Sequence, residues 1–82
     1  MSKSDYAREF AIETAKLAFT EDVVKLMERR KISRAELAKR LGCSAANVTQ
    51  ILRHKNNLTF STAVEIAQAL GAWFNPRLRR MW

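Results

Sequence analysis

Between Ser33 and Leu52 the chain holds two short helical patterns separated only by Gly42-Cys43-Ser44, and each pattern carries its own start signal. Ser33 followed by Glu36 is a capping box, in which each side chain can satisfy a backbone N–H of the other. Ile32 before that cap and Leu37 after it are placed for a hydrophobic staple. The second pattern repeats the grammar, with Ser44 as N-cap and Cys43 and Val48 as the staple pair. Gly42 stands where the first helix must turn sharply, and glycine takes a left-handed conformation there without steric cost. Two helices locked across so short a break make a helix-turn-helix. The remaining segments are read as its support.

An 82-residue chain has room for one small domain with one core. No apolar run approaches the roughly 18 residues needed to cross a bilayer, and Met1-Ser2-Lys3-Ser4-Asp5 lacks a signal-peptide core. The expected address is cytoplasmic. A single cysteine permits no internal disulfide, and with a single histidine it cannot form a structural zinc site, so no metal or other cofactor is expected. No carboxylate pair stands out from helix-surface charge, and no second histidine supports acid–base chemistry, which argues against an enzyme. The net charge of +7 is unevenly spread: residues 33–82 hold eight Lys/Arg against two Asp/Glu. That half is suited to approach an anion, with nucleic acid ahead of a membrane surface.

Residues 1–19 read as a helical extension, with a helix over 4–18 capped by Ser4. Tyr6, Phe10, Leu17 and alanines 7, 11, 15 and 18 give it an apolar side expected to pack on the domain and enlarge its core, the alternative being a dimer or partner surface. Thr20 is expected to start the next helix, with Glu21 and Asp22 in its first turn and Arg29, Arg30 and Lys31 complementing the dipole of its last. Its core face is Val23, Leu26 and Met27, with Val24 beside them. After the central motif, Arg53-His54-Lys55-Asn56-Asn57-Leu58 reads as a polar loop. Thr59 then caps a helix whose Phe60, Ala63, Ile66, Ala67 and Leu70 recur at core-facing intervals, and Gly71 ends it. The tail, 72–82, fits an edge strand or a short helix started by Asn75-Pro76. Its Trp73, Phe74 and Trp82 call for burial in a groove of the domain or in a partner protomer.

A helix-turn-helix delivers its second helix to the major groove of DNA, where the four base pairs present distinguishable edges. In this chain that helix is Ala45–Leu52. Val48 and Ile51 face inward with Leu37, Ala38 and Leu41, and Cys43 reads as a small buried hydrophobe. Ala45, Ala46, Thr49 and Gln50 remain outward, with Asn47 and Arg53 at the margins. Gln50 can pair bidentately with adenine, Thr49 can donate or accept, and alanine methyls can meet thymine methyls. Ser33 and Ser44, at helix starts, suit phosphate. Arg34, Lys39, Arg40, Arg53 and Lys55 supply backbone attraction, each neutralised phosphate adding about 0.9 to the salt slope.

Leu37-Ala38-x-x-Leu41-Gly42-x-Ser44 with Val48-x-x-Ile51, followed by Asn57-Leu58-Thr59 and Ile66-Ala67-x-Ala69-Leu70-Gly71, resembles the Cro/lambda-repressor-type helix-turn-helix of the xenobiotic-response-element family. The resemblance spans about residues 20–71. It implies an all-α, lambda-repressor-like bundle of four to five helices, here with an extra N-terminal helix and a short C-terminal tail. It also implies a transcriptional regulator of double-stranded DNA, commonly a dimeric repressor on palindromic operators. In the family, residues matching Ala45, Ala46, Thr49 and Gln50 face bases, and those matching Arg34, Arg53 and Lys55 lie near phosphates. Arg34 stands where many members have glutamine, and Cys43 where valine is usual. Small members also serve as antitoxins that bind a toxin protein and repress their own operon. The flanks 1–19 and 72–82 are the natural places for such a contact.

Overall fold

The computed structural model describes residues 3–54 and 58–78, apart from the side chains of Lys3, Ser4 and His54. Four α-helices follow one another: α1 (Lys3–Arg30), α2 (Arg34–Leu41), α3 (Ala45–His54) and α4 (Phe60–Ala69). Among the described residues there is no strand, and the expected all-α bundle of four helices is what forms. α3 runs two residues past the expected Leu52 and so takes in Arg53 and His54.

The first 30 residues depart from expectation, because the two helices read at 4–18 and from Thr20 are one helix of 28 residues. Thr20 is buried, and its hydroxyl donates back to the Leu17 carbonyl at 3.0 Å. A threonine can cap a helix start or back-bond inside one, and here it does the second. Neither glycine nor proline precedes Gly42, so nothing in the chain forces a break at position 19. The Ser4 cap expected at the start falls on a side chain outside the described residues.

Three of the four helices end in the same way. Ile32 N–H donates to Met27 and Lys31 N–H to Glu28; Cys43 donates to Ala38 and Gly42 to Lys39; Ala72 donates to Ala67 and Gly71 to Gln68. This is the Schellman arrangement, which satisfies carbonyls that a helix end otherwise leaves orphaned. Its left-handed position holds Gly42 (φ 72°) and Gly71 (φ 71°), but Lys31 (φ 56°) at the end of α1. A residue with a Cβ costs about 1–2 kcal/mol in that conformation.

Val23 and Met27 of α1, Leu37 and Ala38 of α2, Val48 of α3, and Ile66 and Leu70 of α4 form the buried core. Both staple pairs meet there: Leu37 and Val48 are members of the core, and Ile32 and Cys43 pack against it. Each fully buried large side chain contributes roughly 1.5–3 kcal/mol. Two residues assigned to the core face are exposed. Val24 is 37% exposed at the edge of that face, beside Met27, and Phe60 is 73% exposed because it is the first residue of α4, before the helix turns onto the core.

Arginines close the far end of α4. Arg30 donates to the Leu70 carbonyl, and Arg40 to the Ala69 carbonyl at 2.8 Å. Arg30 stands in the last turn of α1, as expected, and its guanidinium also serves the C-terminus of α4. Beyond Gly71 the described tail, 72–78, is neither strand nor helix. Phe74 packs edge-on to Phe19 at 5.2 Å and tilted to Phe60 at 6.0 Å. Trp73 is 93% exposed, and Trp82 lies outside the described residues.

Candidate nucleic-acid interface

The turn between α2 and α3 forms as its residues dictate. Ser33 Oγ accepts from Glu36 N–H at 3.1 Å, and Ser44 Oγ from Asn47 N–H at 3.1 Å. The Glu36 carboxylate does not return to Ser33; its Oε1 takes the Arg40 Nε–H at 3.2 Å, one turn on. An exposed pair of this kind is worth a few tenths of a kcal/mol. Ala38 is small where α2 and α3 meet and is buried with Leu37 against Val48. Those contacts fix how α3 is presented.

With Val48 buried and Ile51 and Leu52 half-buried, α3 turns one arc outward. At 100° per residue, Ala46, Thr49, Gln50 and Arg53 share an arc of roughly 100°. Ala46, Gln50 and Arg53 are exposed and Thr49 is half-buried. Ala45 and Asn47, both exposed, flank this arc on either side. Arg53 thus stands within the outward face rather than at its margin, because α3 continues through it. Ser33, Arg34 and Ser44 are exposed at the starts of α2 and α3. Lys55 lies outside the described residues.

One contact crosses between the two helices on this side. Arg34, the first residue of α2, donates through Nη1 to Thr49 Oγ1 at 3.0 Å. The candidate phosphate ligand and a candidate base reader are therefore joined. Their spacing of 15 residues hid this, since only the docked helix pair brings them together.

On the opposite flank a hollow of about 560 Å³ opens between α3 and α4, lined by Ala46, Asn47 and Gln50 and by Thr62 and Glu65. Thr62 and Glu65 were missed as neighbours of the reading face. Their signal was available: they interleave with the core positions Ala63, Ile66 and Ala67 on α4. Glu65 is the one carboxylate on this border of an otherwise basic half, and it disfavours a phosphate there.

The family model of the Cro/C1-type HTH DNA-binding domain matches residues 23–72. The chain belongs to that family. Searches among curated proteins and among solved structures found no match. The Cro/C1-type match begins inside α1 and ends just after Gly71, so it takes in only about the last two turns of α1 and all of α2, α3 and α4. It leaves the longer first part of α1 and the tail as additions. A Cro/C1-type domain binds DNA, which makes this chain a DNA-binding transcriptional regulator. Among the described residues no helix is long and apolar enough to cross a membrane.

Proposed function

We propose that the chain is a sequence-specific repressor that binds double-stranded DNA as a homodimer and lays the outward arc of α3 in the major groove. The observation that carries this reading is the division of α3. One arc is locked to α2 through Val48 and Ile51, and the other presents Ala46, Thr49, Gln50 and Arg53. Gln50 reads adenine, the alanine methyls favour thymine, and Asn47 lies within reach of an edge base. The N-termini of α2 and α3, with Ser33 and Ser44, take phosphates, and Arg34, Arg53 and Lys55 add salt-sensitive attraction. Repression follows from occupying a groove that polymerase would otherwise engage.

So few reading residues per protomer favour two half-sites and hence a dimer. The outer face of α1 offers the surface for it. Tyr6 is 68% exposed and Phe10 67% exposed, with Leu17 and Val24 on the same line. These four fall within an arc of about 40°, at least roughly 100° round the helix from Phe19 and Val23. Phe10, Leu17 and Val24 recur every seven residues, the repeat that pairs two long helices along a seam. Residues 5–11 are all exposed, whereas Phe19, at the end of the extension, packs against the core.

A second reading, an antitoxin that also binds a toxin protein, is favoured by a separate apolar hollow of about 750 Å³ between α1, α4 and the tail. Phe60 and Trp73 stand exposed beside it. Co-expression with the product of an adjacent gene, with and without residues 72–82, tests that contact.

The main reading is tested by selecting bound duplexes from a random library with the wild-type chain and with Gln50→Ala. An inverted repeat whose preference relaxes at one position per half-site in Gln50→Ala is the expected result. No enriched sequence, or an identical one for both chains, would sink it.

A further inference from the structure

We propose that Arg34 is a specificity-determining positioning residue, which turns the Thr49 hydroxyl into a hydrogen-bond donor aimed at base acceptors. The inference rests on the major-groove reading above. A threonine hydroxyl is by itself an ambiguous reader, because it carries one donor and two acceptor sites. The contact with Arg34 removes much of that ambiguity. A guanidinium only donates, so at 3.0 Å the Thr49 oxygen must be the acceptor and its hydrogen must point elsewhere. The positive charge on that oxygen also polarises the hydroxyl, making it a better donor and a poorer acceptor.

The β-branch of threonine strengthens the effect. Its χ1 has few allowed wells in a helix, so anchoring Oγ1 towards Arg34 also settles where the methyl lies. Thr49 is half-buried, and Arg34 stands exposed at the first position of α2. The guanidinium has four further N–H groups with which to meet the DNA backbone. One residue thus links a phosphate contact to the state of a base reader. The base expected opposite Thr49 presents an acceptor, as guanine O6 and N7 or thymine O4 do. Cytosine, whose major-groove edge is the N4 donor, is disfavoured.

The test uses the full chain and the duplex enriched by the wild type, with each base of a half-site varied in turn. Binding by the wild type, Thr49→Val, Arg34→Lys and Arg34→Ala is measured over a range of salt, after thermal unfolding shows that each variant folds. Thr49→Val is expected to flatten the preference at one position, where cytosine had been disfavoured about five- to tenfold. Arg34→Lys keeps the charge but loses the planar fork. It is expected to flatten that same position with the salt slope unchanged, whereas Arg34→Ala flattens it and also lowers the slope by about 1. If Arg34→Lys retains the wild-type preference there, and Arg34→Ala weakens all sequences equally, Arg34 supplies charge alone and the inference fails. It fails too if Thr49→Val alters no position while Gln50→Ala still relaxes its own, an outcome that leaves the major-groove reading standing. Loss of enrichment by the wild type itself would instead overturn that underlying reading.

Discussion

Arg30, the last residue of α1, donates its guanidinium N–H to the carbonyl of Leu70, 40 positions along the chain. That carbonyl lies at the end of α4, where no further helical N–H is available to it. Arg40 does the same for Ala69 from α2. The two arginines tie three helices together at one corner and set α4 against the helix-turn-helix. Arg30→Met should therefore lower stability by about 1.5–3 kcal/mol, the range for hydrogen bonds made by charged groups. Arg29→Met, at an exposed neighbour, should stay within about 0.5 kcal/mol. Urea unfolding of the two variants checks the contrast, and equal effects would show that the arginine acts only as general surface charge.

The glycines at the ends of α2 and α4 should respond unequally to the same change. Both have positive φ, so an alanine costs about 1 kcal/mol at either. At Gly42 a Cβ would meet nothing within 4 Å, whereas at Gly71 it would stand 2.8 Å from Nη1 of Arg30. Gly71→Ala must shift that guanidinium, the far end of a flexible side chain, and so disturbs its bond to Leu70. It should cost more than Gly42→Ala, by up to about 1 kcal/mol, and the excess should vanish in the Arg30→Met background.

Lys31 is the one non-glycine with positive φ among the described residues. Replacing it by glycine removes about 1–2 kcal/mol of strain and adds roughly 0.5–1 kcal/mol of unfolded-state entropy. Lys31→Gly should raise stability by about 0.5–1 kcal/mol. For a domain of this size the melting temperature should rise by roughly 2–8 °C. A lower melting temperature would mean that the lysine side chain contributes more than its backbone costs.

Placing a charge on the outer stripe of α1 should separate assembly from folding. Phe10→Glu and Leu17→Glu lie on the exposed face, away from the core residues Val23 and Met27. Each should leave the helical circular-dichroism signal of the domain in place and shift sedimentation from dimer to monomer. Binding to an inverted repeat should weaken by tenfold or more, with binding to a single half-site unchanged. A dimer that persists in both variants would place its interface elsewhere.

The central motif was legible because its signals are local. Ser33, Gly42 and Ser44 each settle a backbone hydrogen bond within a few residues, and all three bonds form. The core positions of α2, α3 and α4 follow from helical spacing, with Phe60 misplaced because it sits at a helix end. Thr20 misled because an acid-rich turn after a threonine looks the same at a helix start as within a helix. The hydroxyl's choice of Leu17 depends on the residues before it remaining helical. Arg30 to Leu70 and Arg34 to Thr49 were invisible for another reason. Long side chains reach partners that only tertiary packing brings near, and periodicity carries no trace of such pairs.

The most direct test of DNA reading by α3 is a competition titration. The enriched inverted repeat and a shuffled duplex of equal length and composition compete for the chain at near-physiological salt. Specific regulators typically prefer their site by a factor of about 10³ or more. That preference should fall at least tenfold in Gln50→Ala, with little change in binding to the shuffled duplex. Equal binding of both duplexes by the wild type would leave only electrostatic attraction to phosphate and would contradict the account.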